Sequence, residues 1–172
     1  MIIREETATD YASIRAVTID AFRGMPYAGG DEQDVIERLR AADALSLSLV
    51  ATDNNEVVGH IAFSPAEPAD GAASWFALGP VSVMPDRQRQ GIGSALITCG
   101  LNALRAQHAA GCILLGDPAY YQRFGFDVSP QHAPRNEPAE YFMVCHFGNA
   151  TAAGRFRFHD AFYAGAQSPE TP

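Results

Sequence analysis

The sequence predicts an α/β fold of the α+β type: a mixed, mostly antiparallel twisted sheet, splayed at a central bulge and flanked by about four helices. Three observations carry this. Two β-rich segments, 45–51 and 56–64, are joined by the hairpin signal Asp53-Asn54-Asn55. A third, 74–84, is interrupted by Gly79-Pro80, and because proline has no amide to donate, the strand must break or bulge there. A helical stretch, 91–107, then leads into the short apolar run 111–115, which reads as a buried parallel strand.

The remaining elements follow from local pattern. Ile2 and Ile3 open a short strand, and Thr9 or Asp10 can cap a helix with the apolar stripe Ile14, Val17, Ala21 and Phe22. Breakers fill 23–30, and Asp31 starts a second helix with Val35, Ile36 and Leu39 turned inward. In the 91–107 helix the spacing selects Ile92, Leu96, Cys99 and Ala103 as one face. Asp117-Pro118 begins a short helix in the favoured cap-then-proline order, and Phe124-Gly125 ends it. Beyond lie an apolar segment, 141–147, a stretch 155–163, and a Ser/Pro/Glu/Thr tail, 166–172, expected to be disordered.

At 172 residues and 47% apolar, the chain fits one compact domain, 1–165, with a single core. Its formal net charge of −8 repels phosphate backbones and anionic headgroups, which argues against a nucleic-acid partner. The same charge either serves solubility or draws cationic molecules toward a cleft. The N-terminus lacks the pattern of a signal peptide and no apolar run approaches a membrane span, so the expected place is the cytoplasm, with no membrane partner. Cys99, Cys112 and Cys145 lie apart in apolar segments and read as reduced core thiols. His108, His132, His146 and His159 share no metal-ligand spacing, and no metal is expected. Nothing fixes the choice between monomer and homodimer.

A strand ending near Met84, a turn rich in Arg and Gln, and two glycines at the mouth of a helix make an anion site. The first helical amides have no internal partners, the helix dipole favours negative charge, and glycine admits an oxygen close to the main chain. The pattern can also be a mere tight turn. A dinucleotide fingerprint would need a small residue where Leu96 stands, and an ATP loop would need Gly-Lys-Ser/Thr, so neither fits. No Gly-x-Ser-x-Gly marks a hydrolase nucleophile.

The segment from Val81 to Leu96 resembles the acetyl-CoA motif of the GNAT N-acetyltransferase superfamily, Gln/Arg-x-x-Gly-x-Gly/Ala, with Gln88, Gly91 and Gly93 filling it. Downstream, Tyr121 stands four residues before Gly125-Phe126, as a tyrosine typically does in that family. Gly59-His60-Ile61, Leu78-Gly79-Pro80, the pair Tyr120-Tyr121 and the ending Ala161-Phe162-Tyr163 narrow the likeness to its YhbS-like subgroup. Many members carry an asparagine ahead of the tyrosine helix; this chain has Gly116-Asp117-Pro118 instead.

The resemblance implies an acyltransferase that moves an acetyl group from acetyl-CoA to a primary amine of a small molecule or a protein. It implies that Val81, Ser82 and Val83 receive the pantetheine arm and that Gln88, Arg89, Gln90, Gly91, Ile92, Gly93 and Ser94 hold the pyrophosphate. Tyr121 is the implied acid, since a phenol near pKa ~10 can protonate a leaving thiolate near ~8.5; its alternative is a packed aromatic. Phe22, Met25 and Tyr27 are the expected acceptor contacts, because loops on a rigid scaffold carry recognition. No base stands out: Glu32, Glu56, Glu67 and a water chain are all available, and His60 reads as a core residue that could face the working side. A non-catalytic CoA-sensing module and an enzyme for longer acyl chains stay open as alternatives.

Overall fold

The computed structural model describes residues 1–72 and 74–165, so the tail 166–172 lies outside the described residues. The chain runs β1 (Ile2–Glu5), α1 (Tyr11–Phe22), α2 (Glu32–Ala41), β2 (Leu47–Asp53), β3 (Glu56–Pro68) and β4 (Trp75–Val83). It continues through α3 (Ile92–Ala106), β5 (Gly111–Leu115), α4 (Pro118–Tyr121), β6 (Asp127–Val128), β7 (Phe142–His146) and β8 (Phe156–Arg157). The sheet order is β1-β2-β3-β4-β5-β7-β6, with β8 paired to β3, and every pairing is antiparallel except β4 with β5.

Two local sequences set this topology. Asn54 and Asn55 hold φ of 48° and 65°, the left-handed pair that a two-residue hairpin turn requires, and they bring Asp53 opposite Glu56. Across β3 and β4, Ile61 faces Val81 and Phe63 faces Leu78, so Gly79 and Pro80 together stand against Ala62. That is one extra residue, and β4 bends there. Its parallel pairing with β5 is confined to Trp75, Ala77 and the residue between them, opposite Gly111 to Ile113. Beyond that point β4 stays with β3 while β5 stays with β7, and the sheet opens into a V.

One face of the sheet carries α3. Ile92, Leu96, Ile97, Leu101 and Leu104 are buried there against Val58, Ile61 and Phe63. The face differs from the one expected from spacing, because Cys99 is exposed. Leucine and isoleucine at 97, 101 and 104 have more apolar area to remove from water than Cys99 and Ala103, and they decide the rotation. Gly100 permits it: a Cβ there would stand 2.3 Å from the Phe63 ring. Cys112 and Cys145 are buried as read.

The other face carries α1 and α2, which bury Ile14, Val17, Val35, Ile36 and Leu39. Asp10 precedes α1, but its carboxylate does not cap it; it accepts from Arg4 at 2.7 and 2.9 Å and from the Thr7 amide at 2.7 Å. An ion pair at a buried position outcompetes a helix cap. The C-terminal segment covers the closed end of the V, packing Phe156 and Phe158 on Trp75, Ala77, Ile113 and Phe142.

Candidate active site

The open end of the V is bounded by the last residues of β4 on one side and by Leu114, Leu115 and α4 on the other. Met84 donates its amide to Val58 O at 3.0 Å, so that pair is a hydrogen-bonded one in the antiparallel ladder. By alternation Ser82 also pairs with β3, while Val81 and Val83 turn their amides and carbonyls into the opening. Val83 O receives the Gln88 side-chain amide at 3.2 Å, which ties the turn to the strand end. The Ser82 side chain lies on the far face, 3.2 Å from the Thr18 hydroxyl.

The turn itself is a phosphate-sized cradle. Arg89 and Gly91 take φ of 59° and 86°, and Gly91 is the N-cap of α3 with no side chain closing it. A Cβ on Gly91 would meet nothing within 4 Å. The amides of Ile92, Gly93 and Ser94 therefore end a 15-residue helix without a side-chain cap, and the dipole adds positive potential at that spot. An anion satisfies both.

Tyr121 stands across the V. Its ring rests on the bare Cα of Gly116, where a Cβ would come within 2.4 Å of the ring, and its edge meets Tyr120 at 5.0 Å and Phe126 at 6.1 Å between centroids. Burial raises the phenol's pKa well above its ordinary value, and the nearby Tyr120 and Tyr27 push the same way. The hydroxyl thus keeps its proton throughout the neutral range. Tyr27 comes from the α1–α2 connection and is 77% exposed, while Met25 and Phe22 are half-buried.

Tyr120 and Gly116 lie within motifs the sequence offered, but the contacts they make here were not legible from it. The Tyr120 hydroxyl lies 3.4 Å from where a Gly93 Cβ would be, so α4 packs directly on the first turn of α3. Gly116 is the seat of Tyr121. Both are contacts between segments far apart in the chain, and no local periodicity announces them. Asp117, standing in the region where many family members place asparagine, caps α4 by accepting from the Ala119 amide at 2.9 Å.

The carboxylates considered as bases do not converge on Tyr121. Glu32 accepts from the amides of Gly29 at 2.6 Å and Gly30 at 3.2 Å, while Glu56 and Glu67 are exposed at a hairpin and at the β8 pairing. His60 is 0% exposed and faces α1 and α2. Its Nε2 is 2.8 Å from Ser48 Oγ, and Ser48 donates to Glu6 at 2.6 Å, so the neutral ring donates from Nε2 and leaves Nδ1 as a bare acceptor. Among the described residues no His, Cys, Asp and Glu side chains group as a metal site.

Residues 12–126 match the acetyltransferase (GNAT) family. The chain belongs to that family. It is 35% identical over 133 residues to the uncharacterised N-acetyltransferase YhbS of Escherichia coli K12, covering 77% of each chain. A GNAT acetyltransferase of Brucella melitensis, solved in complex with acetyl-CoA, is 45% identical with a TM-score of 0.84, over 94% of this chain and 97% of that one. Escherichia coli YhbS, solved in complex with CoA, superposes with a TM-score of 0.84 at 29% identity, over 94% and 91%. This GNAT enzyme thus shares its overall fold with those acetyltransferases.

Proposed function

We propose that this acetyltransferase binds acetyl-CoA in the V between β4 and β5 and transfers the acetyl group to a primary amine of a small molecule or protein. The observation that carries the reading is the uncapped first turn of α3 at the end of a strand whose Val81 and Val83 backbone groups have no neighbouring strand. The residues fit the cofactor: Gly91, Ile92, Gly93 and Ser94 hold the pyrophosphate, with Arg89 and Gln90 beside it, and Val81 and Val83 take the amide-bearing arm. When bound, acetyl-CoA supplies an activated thioester. Tyr121 Oη holds the proton that a departing sulfur needs, and burial keeps it there. Tyr27, Met25 and Phe22 line the side from which the acceptor enters. The unpaired cysteines suit a reducing compartment, the cytoplasm.

The test pairs binding with turnover. Acetyl-CoA and CoA should each raise the melting temperature, and thiol release from acetyl-CoA should depend on a primary amine in a panel of polyamines, amino acids and peptides. Tyr121→Phe should lower kcat by about 100-fold with the CoA-induced melting shift retained. Full turnover by this variant would remove Tyr121 from the acid role.

A further inference from the structure

We infer that Arg123, seated on the Tyr120 ring, is the residue that recognises the 3′-phosphate of the coenzyme and so distinguishes CoA from its dephosphorylated form. This rests on the reading that CoA binds in the V.

The chain is acidic, and its arginines are mostly neutralised. Seven of the twelve hold a carboxylate within 4.0 Å among the described residues. Arg123 is not one of them. Its guanidinium carbon lies 4.4 Å from the Tyr120 ring centroid, and its Nε donates to Tyr120 O at 2.8 Å. Those two contacts fix the plane of the group yet leave both terminal nitrogens, with four N–H donors, unengaged among the described residues in an exposed position.

The same Tyr120 side chain reaches the anion cradle at its other end. Its hydroxyl lies 3.4 Å from the Cβ position of Gly93, in the first turn of α3. Tyr120 therefore spans from the proposed pyrophosphate site to a cation that lacks a carboxylate. On this reading the adenosine end of the coenzyme leaves the cradle past α4, the element that packs on the first turn of α3. A phosphate monoester carries close to two negative charges at neutral pH, and a planar, always-charged fork is the side chain that best matches it. In a chain whose overall field opposes anions, a local cation held in place is what permits that group to dock.

The ligand pair CoA and dephospho-CoA, which differ only in the 3′-phosphate, tests this without an acceptor. Calorimetric Kd values are measured for both with the wild type, Arg123→Gln and Arg123→Lys, each variant first shown to melt at the wild-type temperature without ligand. The wild type should prefer CoA by about tenfold, Arg123→Gln should lose that preference by weakening CoA alone, and Arg123→Lys should keep part of it. Raising the salt should shrink the wild-type preference, since the pair is exposed. Equal weakening of both ligands by Arg123→Gln would assign the residue to the adenine or pyrophosphate and overturn the inference. So would an unchanged preference. If the wild type binds neither ligand, the coenzyme reading itself fails.

Discussion

Burial alone would raise the Glu6 carboxyl, yet hydrogen bonds from Arg40 and Ser48 and the nearby His60 outweigh it and hold the group down at about 2. Arg40 makes two of these contacts at 2.9 Å each, and Ser48 a third at 2.6 Å, which passes the influence on to His60. The direct His60–Glu6 separation of 3.7 Å is too long for a hydrogen bond, so Ser48 is the bridge. A folded pKa below the unfolded value means that the folded state binds fewer protons. Its contribution is complete above about pH 4.5 and is lost as pH falls toward about 2. The magnitude is on the order of 3 kcal/mol. Burial lowers the pKa of His60 too, and that contribution has the same sign, falling away below the ordinary histidine range. Glu6→Gln should therefore be less stable than the wild type at pH 7 by ~2–3 kcal/mol in urea melts, with the gap narrowing between pH 4.5 and 3. A gap that is constant with pH would show that Glu6 acts through packing and not through its charge.

At the scale of elements, α4 is held by contacts at both ends, and its position decides where the phenol sits. Gly116, between β5 and α4, has no side chain, and Tyr121 occupies the space that one would fill, with Leu114 also 3.1 Å from the Cβ position. Gly116→Ala must displace either the ring or the backbone. Transfer activity should fall by 10-fold or more while the melting shift with CoA, which depends on α3, stays close to that of the wild type. Loss of both would mean that the substitution unfolds the α4 region, and loss of neither would show that Tyr121 does not depend on this seat. The elements also show what a sequence discloses. Asn54-Asn55 and Gly79-Pro80 impose backbone constraints within themselves, so the hairpin and the bulge were readable. The α3 face was mis-set because Cys99 and Ala103 fit the spacing as well as Ile97 and Leu101 do, and only the sheet opposite decides between them. The acid cap of α1 went the same way, since Arg4 reaches Asp10 only once β1 is in the sheet. The glycine turn was legible as a strand-to-helix turn from its own residues; its contact with Tyr120 was not, because that contact exists only after α4 folds back on α3.

The whole molecule has a composition suited to handling an acetyl donor. All twelve basic side chains are arginine, and the sequence contains no lysine. A guanidinium stays protonated at any physiological pH and offers no nucleophilic lone pair, whereas a lysine amine near pKa ~10.4 is neutral often enough to react with a thioester. Within this chain the N-terminal amine is the one aliphatic nitrogen nucleophile, and it lies 4.0 Å from the Asp53 carboxylate. The enzyme should accordingly be a poor acceptor of its own donor. After prolonged incubation with acetyl-CoA and no added amine, then hydroxylamine to remove thioesters from groups such as the exposed Cys99, intact mass should show at most one acetyl group. Peptide mapping should place that group on the N-terminal residue. A stable acetyl elsewhere in the chain would reveal a nucleophile that the fold activates, and the direct transfer to an external amine would then have to share the site with an acylated enzyme.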